Sequence, residues 1–398
     1  MIFTKKIQRK NIIAISVCAV FVLILTAVLL AVVLNGKKNS LKLAGFSFME
    51  NEKFGFMDKS GNVMIPAVYD ERIYSFSENL AVVCINGKYW YVDKNGTRKI
   101  KISFDSARAF SEKLAAVMFE GYCGYIDAKG NFEIPAHFDD AYSFYGGLAA
   151  VKTENLWGYI DNKGKYVINP YYDTASNFSN GLATVEKNGK WGIIDKKGRI
   201  IAEIEYDDIY KPVTGDLIPV KKEGIWGYIN KKGQPVINFG YSEAGIFSEG
   251  LGRVNDNGFF GYINKNGDFI IKAHYFETSD FSEGLAFVKE SGDNKNLGYS
   301  VIDKKGREII NAQFSNYKNF KNGIAAVSVG DKWGVIDKKG KYIINPRYDA
   351  ISDFESGLAI VRLENKVGVI NKKESVIIDI KYDNNDSRNY YGLSMVME

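Results

Sequence analysis

Trp157-Gly158-Tyr159-Ile160-Asp161-Asn162-Lys163-Gly164-Lys165-Tyr166-Val167-Ile168 reads as two short β-strands joined by a tight turn. Apolar and aromatic residues fill both arms, and the β-branched and aromatic enrichment favours strand over helix. Between them, Asp161 opens a turn by accepting backbone N–H groups, and Gly164 supplies the positive φ that closes a hairpin with a bulge. Upstream, Leu148-Ala149-Ala150-Val151 begins another strand, and Thr153-Glu154-Asn155 turns it back on Trp157. Downstream, Pro170 is placed at the end of the third strand, because a proline lacks the N–H a strand interior donates. A loop then leads to Phe178-Ser179-Asn180-Gly181-Leu182-Ala183, where the pattern starts again. The unit is a three-stranded meander, with room for a short fourth strand around Tyr172-Asp173.

The unit recurs ten times along the 398 residues, its anchoring acidic or amide residue standing at 58, 93, 127, 161, 195, 230, 264, 303, 337 and 371. The anchors are 34 or 35 residues apart, with a single interval of 39 that carries the insertion Ser291-Gly292-Asp293-Asn294-Lys295-Asn296, an enlarged surface loop. A fixed period of this length marks supersecondary units that share cores with their neighbours. No part of the array has sustained helical periodicity, so the expected fold is all-β: a tandem array of ten meander repeats over residues 44–398.

The pairs Trp157-Gly158, Trp191-Gly192, Trp226-Gly227 and Trp333-Gly334, the Asp-x-x-Gly turn and the Phe-Ser-x-Gly-Leu-Ala phrase together resemble the WG-repeat proteins, a bacterial repeat family, over essentially all of residues 44–398. Elsewhere the aromatic is replaced by Phe, Tyr, Cys or Val, and the glycine is lost at Trp90 and Ser300. The resemblance implies a β-rich repeat architecture and little about activity.

Two arrangements suit such an array, an open superhelix or a propeller-like ring. Ten blades exceed the usual four to eight, and the period is short for a blade. An extra strand, Gly45-Phe46-Ser47-Phe48, precedes the first hairpin, while Gly392-Leu393-Ser394-Met395-Val396 follows the last. The surplus strand favours a capped open array.

The first residues are a different material. Lys5, Lys6, Arg9 and Lys10 precede an uncharged run from Ile12 to Leu34, and Lys37 and Lys38 follow it. Twenty-three apolar residues suffice to cross a bilayer as a helix. A secretory signal would have a shorter apolar core and a small-x-small cleavage site, which Ala31-Val32-Val33-Leu34-Asn35 does not offer. The expectation is therefore a basic cytoplasmic tail (1–11), an uncleaved transmembrane helix (12–34), a linker (35–43) and the array outside the cytoplasmic membrane, oriented by the basic residues before the span.

The net charge of +5 resides in those first 40 residues, which hold six basic and no acidic groups; the remainder has 46 basic against 47 acidic. That near-neutral array has no basic field for nucleic acid. Comparison among the repeats also argues against chemistry. The recurring aspartates sit in turns, and Asp-Lys-Lys-Gly lacks the alternating oxygen ligands of a calcium loop. His137 and His274 share a slot held elsewhere by Val68, Tyr171, Glu205, Arg347 and Lys381, which marks a solvated strand face. Cys84 and Cys123 occupy unlike offsets, Cys123 filling the aromatic slot of its repeat, so a disulfide has little support. Four of the five tryptophans share a core-like slot, better suited to packing between repeats than to stacking on sugars.

No catalytic, cofactor-binding or metal-binding residue is assigned, and no cofactor is expected. The expected function is non-enzymatic: a single-pass membrane protein that presents an extended protein-binding surface, another envelope protein being the expected partner. A cell-wall or polysaccharide-binding module is the alternative.

Overall fold

The computed structural model describes residues 42–211, 213, 215–290, 298–383 and 392–398. The expected tail and transmembrane helix (12–34), most of the linker and the insertion 291–296 lie outside the described residues. Among the described residues there is no helix long and apolar enough to cross a membrane. Everything described is all-β: nine antiparallel sheets that comprise ten modules, numbered here in chain order of their hairpins.

Module four shows how one repeat folds. Its sheet runs in the order Asp140–Ala141, Ala149–Thr153, Leu156–Ile160, Tyr166–Tyr172. Local chemistry sets each turn. Asp161 Oδ1 accepts from the N–H groups of Lys163 (2.9 Å) and Lys165 (3.0 Å), and Gly164 takes φ +79°. The Ser-x-Gly-Leu turn of the next module is a two-residue hairpin, with Asn180 and Gly181 both at positive φ and Ser179 and Leu182 exchanging backbone hydrogen bonds. The short fourth strand expected near Tyr172-Asp173 exists, but it belongs to the following sheet: Thr174–Ala175 pairs with Leu182–Lys187. Between modules seven and eight the two elements fuse into one strand, Phe269–Thr278, and their sheets merge into seven strands.

The proline placement needs correction. The last strand of module four continues through Pro170 to Tyr172. Trp157 pairs with Tyr172 and Tyr159 with Ile168, so three residues of that strand oppose Gly158 alone. Pro170 sits in this bulge, where a missing N–H leaves no gap in the ladder. A Cβ on Gly158 would lie 2.6 Å from the Ile168 carbonyl oxygen and 2.7 Å from Pro170 N. The same backbone crowding faces Gly55, Gly124, Gly261, Gly334 and Gly368. The repeated glycine therefore makes room for a bulge. Where Trp90 replaces it, the outer strand is reduced to isolated pairings of Tyr89 with Phe104 and Val92 with Arg98. Ser300 is tolerated, its hydroxyl directed toward the Val288 carbonyl.

Modules are joined through their cores. Phe144, Ala149, Val151 and Ile160 of module four pack with Tyr125, Ile134 and Phe138 of module three, and equivalent clusters link each neighbour to the next. The tyrosine two places after the Trp slot is an inter-module pin. Tyr91, Tyr125, Tyr159, Tyr228 and Tyr262 are fully buried and donate to the carbonyls of Arg108, Tyr142, Ser176, Gly245 and Ser279 at 2.6–2.9 Å. Serines of the Phe-Ser phrase add a second tie: Ser77, Ser111, Ser248 and Ser282 each donate at 2.6 Å to the carbonyl of the equivalent Phe one module on. Tyr159→Phe is expected to cost about 1–2 kcal/mol, since the Ser176 carbonyl loses its buried donor; urea unfolding of the variant measures it.

The array closes, against the expectation of an open superhelix. Leu43–Glu50 is the second strand of the first sheet, and the C-terminal strand Leu393–Met397 pairs with it in the position of the missing first strand. The strand read as surplus is thus the one the C-terminus completes. A tenth cluster unites Leu43, Phe46, Phe48 and Met57 with Val367, Val369, Ile378 and Leu393. Each module has two neighbours, and module ten meets module one.

Candidate functional site

The repeated residues are scaffold, so candidate sites lie where exposed positions vary or where one module departs from the others. Along each last strand, alternate residues point to solvent. The first of these positions is aliphatic in most modules: Met64, Val167, Val236, Ile270, Ile309 and Ile343 are each 40–47% exposed. The last is variable and contains His137, Tyr171, His274 and Arg347, all exposed as their shared slot implied. The two histidines each sit against the carbonyl two residues earlier, Pro135 and Lys272, and stack on the adjoining ring of Phe138 or Tyr275. Among the described residues no cluster of three potential metal ligands exists.

Cys84 and Cys123 are buried and free. Burial pushes their thiols up to about 11 and about 12, so neither is a ready nucleophile at neutral pH. Three of the tryptophans are covered by groups of their own chain. Trp157 is 6% exposed and lies on Tyr142, ring centroids 4.6 Å apart. Lys211 Nζ sits 2.8 Å from the centroid of Trp191, and Arg98 lies 3.9 Å over Trp90. Burial on that ring pushes the Lys211 ammonium down to about 8, against the opposing pull of Asp208 and Glu186.

Between modules six and seven a cavity of about 390 Å³ opens, lined by Asp208, Tyr210, Lys211, Trp226, Glu243 and Arg253 among others. Here the repeat is broken. Arg253 occupies a slot that holds Val82, Ala116, Ala150, Thr184, Pro219, Phe287, Ala326 and Ile360 in other modules. Gly245 stands in a slot that holds Tyr74, Arg108, Tyr142, Tyr210 and Lys318 in some modules and Ser176, Ser279 and Ser352 in others, and its open side faces Asp280 and Arg253. Arg253 Nε is 3.6 Å from Asp280 Oδ1, and neither atom has a hydrogen-bond partner. Burial raises the Asp280 carboxyl above its ordinary value, with Arg253 pulling the other way. Motif reading does not reveal this polar exception; aligning the Leu-Ala-x-Val slot across modules does, because an arginine among alanines and valines stands out.

The family model of the WG containing repeat matches nine segments, 54–89, 91–123, 124–157, 157–191, 191–224, 226–258, 260–293, 299–333 and 333–366. A search of curated proteins found no match. Among solved structures, a eukaryotic initiation factor is similar over 84% of this chain and 95% of its own, at 10% identity and TM-score 0.50, a likeness of fold alone. PorZ, a surface component of the type-IX secretion system of Porphyromonas gingivalis, aligns over 78% of this chain and 52% of its own at 12% identity and TM-score 0.27. Dihydro-heme d1 dehydrogenase NirN aligns over 75% and 72% at 15% identity and TM-score 0.34.

Proposed function

We propose, for a chain that belongs to the WG containing repeat family, a non-enzymatic binding scaffold that docks another protein along the solvent face of its last strands. The observation behind this reading is the row of Met64, Val167, Val236, Ile270, Ile309 and Ile343, aliphatic yet 40–47% exposed in six of the modules. Solvent-exposed strand positions ordinarily carry polar residues, and an apolar row that recurs around the ring is surface a partner can cover. The variable positions beside it, from Tyr171 to Arg347, supply what would discriminate one partner from another.

In this reading residues 12–34 anchor the chain in the membrane, the N-terminus is cytoplasmic and the ring lies outside, where an envelope protein is the partner. A glycan-binding role draws less support, because tryptophans that stack on sugars must be accessible and Trp157 and Trp191 are covered by their own chain. The test compares the full chain with a variant carrying Val236→Ser, Ile270→Ser and Ile309→Ser, each cross-linked in native membranes and read by mass spectrometry. A single protein captured by the first and lost from the second is the expected result. Equal capture by both would refute docking through this row.

A further inference from the structure

We infer that the cavity between modules six and seven binds an organic cation, an alkylammonium group seated on the face of Trp226. The ring has an internal precedent for this chemistry. Trp191, one module earlier, has the Lys211 ammonium on its face, and Trp90 has the Arg98 guanidinium on its own. Trp157 is covered by Tyr142, over whose ring Arg108 lies at 5.0 Å. Trp226 has neither: among the described residues no ring and no cation stacks on it, and Tyr210, the counterpart of Tyr142, makes no ring contact with it. What stands there instead is the cavity.

The charges around the cavity favour a cation over an anion. Lys211 spends its ammonium on the Trp191 ring and on Asp208, 3.9 Å away. Arg253 faces Asp280 at 3.6 Å, the Thr278 carbonyl at 3.4 Å and the Phe260 ring at 5.1 Å. Glu243 forms no ion pair or side-chain hydrogen bond among the described residues. The lining carries Asp208 and Glu243 against Lys211 and Arg253. With Lys211 paired to Asp208 and Arg253 paired to Asp280 behind it, Glu243 is, among the described residues, the carboxylate left without a partner on the cavity that the half-buried Trp226 also lines. An ammonium attached to an aliphatic stem matches both: its charge meets Glu243 and the ring quadrupole, and its methylenes meet the ring surface. About 390 Å³ admits a four- or five-carbon amine. The amine can arrive as a free molecule or as the side chain of a lysine in a peptide.

The experiment uses the full chain in detergent micelles and isothermal titration with three probes: n-butylammonium, n-butanol and N-acetyl-lysine amide. Saturable binding of an ammonium probe with none of the neutral alcohol is expected. Glu243→Gln, at an exposed position that does not disturb the core, should weaken binding about fivefold, and Trp226→Leu about tenfold. Tighter binding of N-acetyl-lysine amide than of n-butylammonium identifies a peptide side chain as the source, and the reverse a free amine; both uphold the site. The inference is overturned if n-butanol binds as well as n-butylammonium, if Glu243→Gln leaves the affinity unchanged, or if no ammonium saturates. None of these results bears on the aliphatic row of the last strands, which is tested separately.

Discussion

Removal of residues 392–398 is expected to open the ring and to lower stability more than any single substitution in the outer strands. The strand Leu393–Met397 pairs along Leu43–Glu50, with Phe46 opposite Met395 and Phe48 opposite Leu393. Leu393 and Val396 are 1% and 0% exposed, and their loss alone removes about 4 kcal/mol of apolar burial. Their absence also uncovers Leu43, Phe46 and Phe48, which they help shield from water. In an open array a terminal strand contributes only its own nearest-neighbour term. In a ring, the same strand holds modules ten and one together, so its removal also lets both ends fray. Chemical unfolding should show a large drop in midpoint, and hydrogen exchange should show lost protection across residues 43–50. An unchanged midpoint would mean that the pairing does not hold the ring. Val396→Asp, which buries a charge without shortening the chain, should act in the same direction by about 3 kcal/mol or more.

The second large effect concerns the repeated glycine. Gly158→Ala is expected to cost about 3 kcal/mol, because the new methyl group meets backbone atoms of Ile168 and Pro170 at 2.6–2.7 Å. Backbone yields less readily than a side chain, so the bulge must shift as a unit. Gly181→Ala is the control. Its Cβ would meet nothing within 4 Å, and only the φ of +82° opposes it, at about 1 kcal/mol. Urea unfolding midpoints of the two variants separate the two demands on glycine, space and conformation. If Gly181→Ala were the more damaging, the crowding over Gly158 would not be what the repeat preserves. Trp90 and Ser300 mark the natural limits: the large side chain coincides with a broken outer strand, the small one with an intact strand.

Much of one module was legible in its residues. The Asp161 turn and the three strands follow from chemistry that acts within four or five positions along the chain, whereas the Asn180-Gly181 hairpin was legible only as a recurring phrase. The solvated slot of His137 and His274 was legible too, because ten copies of one unit reveal which positions tolerate any side chain. Arg253 broke such a slot visibly, yet it matches no motif and is recognisable only by comparison within the chain.

By itself the sequence determined the period, the all-β character and the turns, since each is written in local pattern. Tertiary structure alone decided that Pro170 lies inside a strand, that Thr174–Ala175 serves the following sheet, and that Leu393–Met397 completes the first one. It also decided that Trp226 of module six and Glu243 and Arg253 of module seven line one cavity. The reason is common to all of these. A turn is settled by a few neighbouring residues, whereas closure depends on small inter-module rotations summed over ten units, and a cavity between modules depends on side chains far apart in the chain.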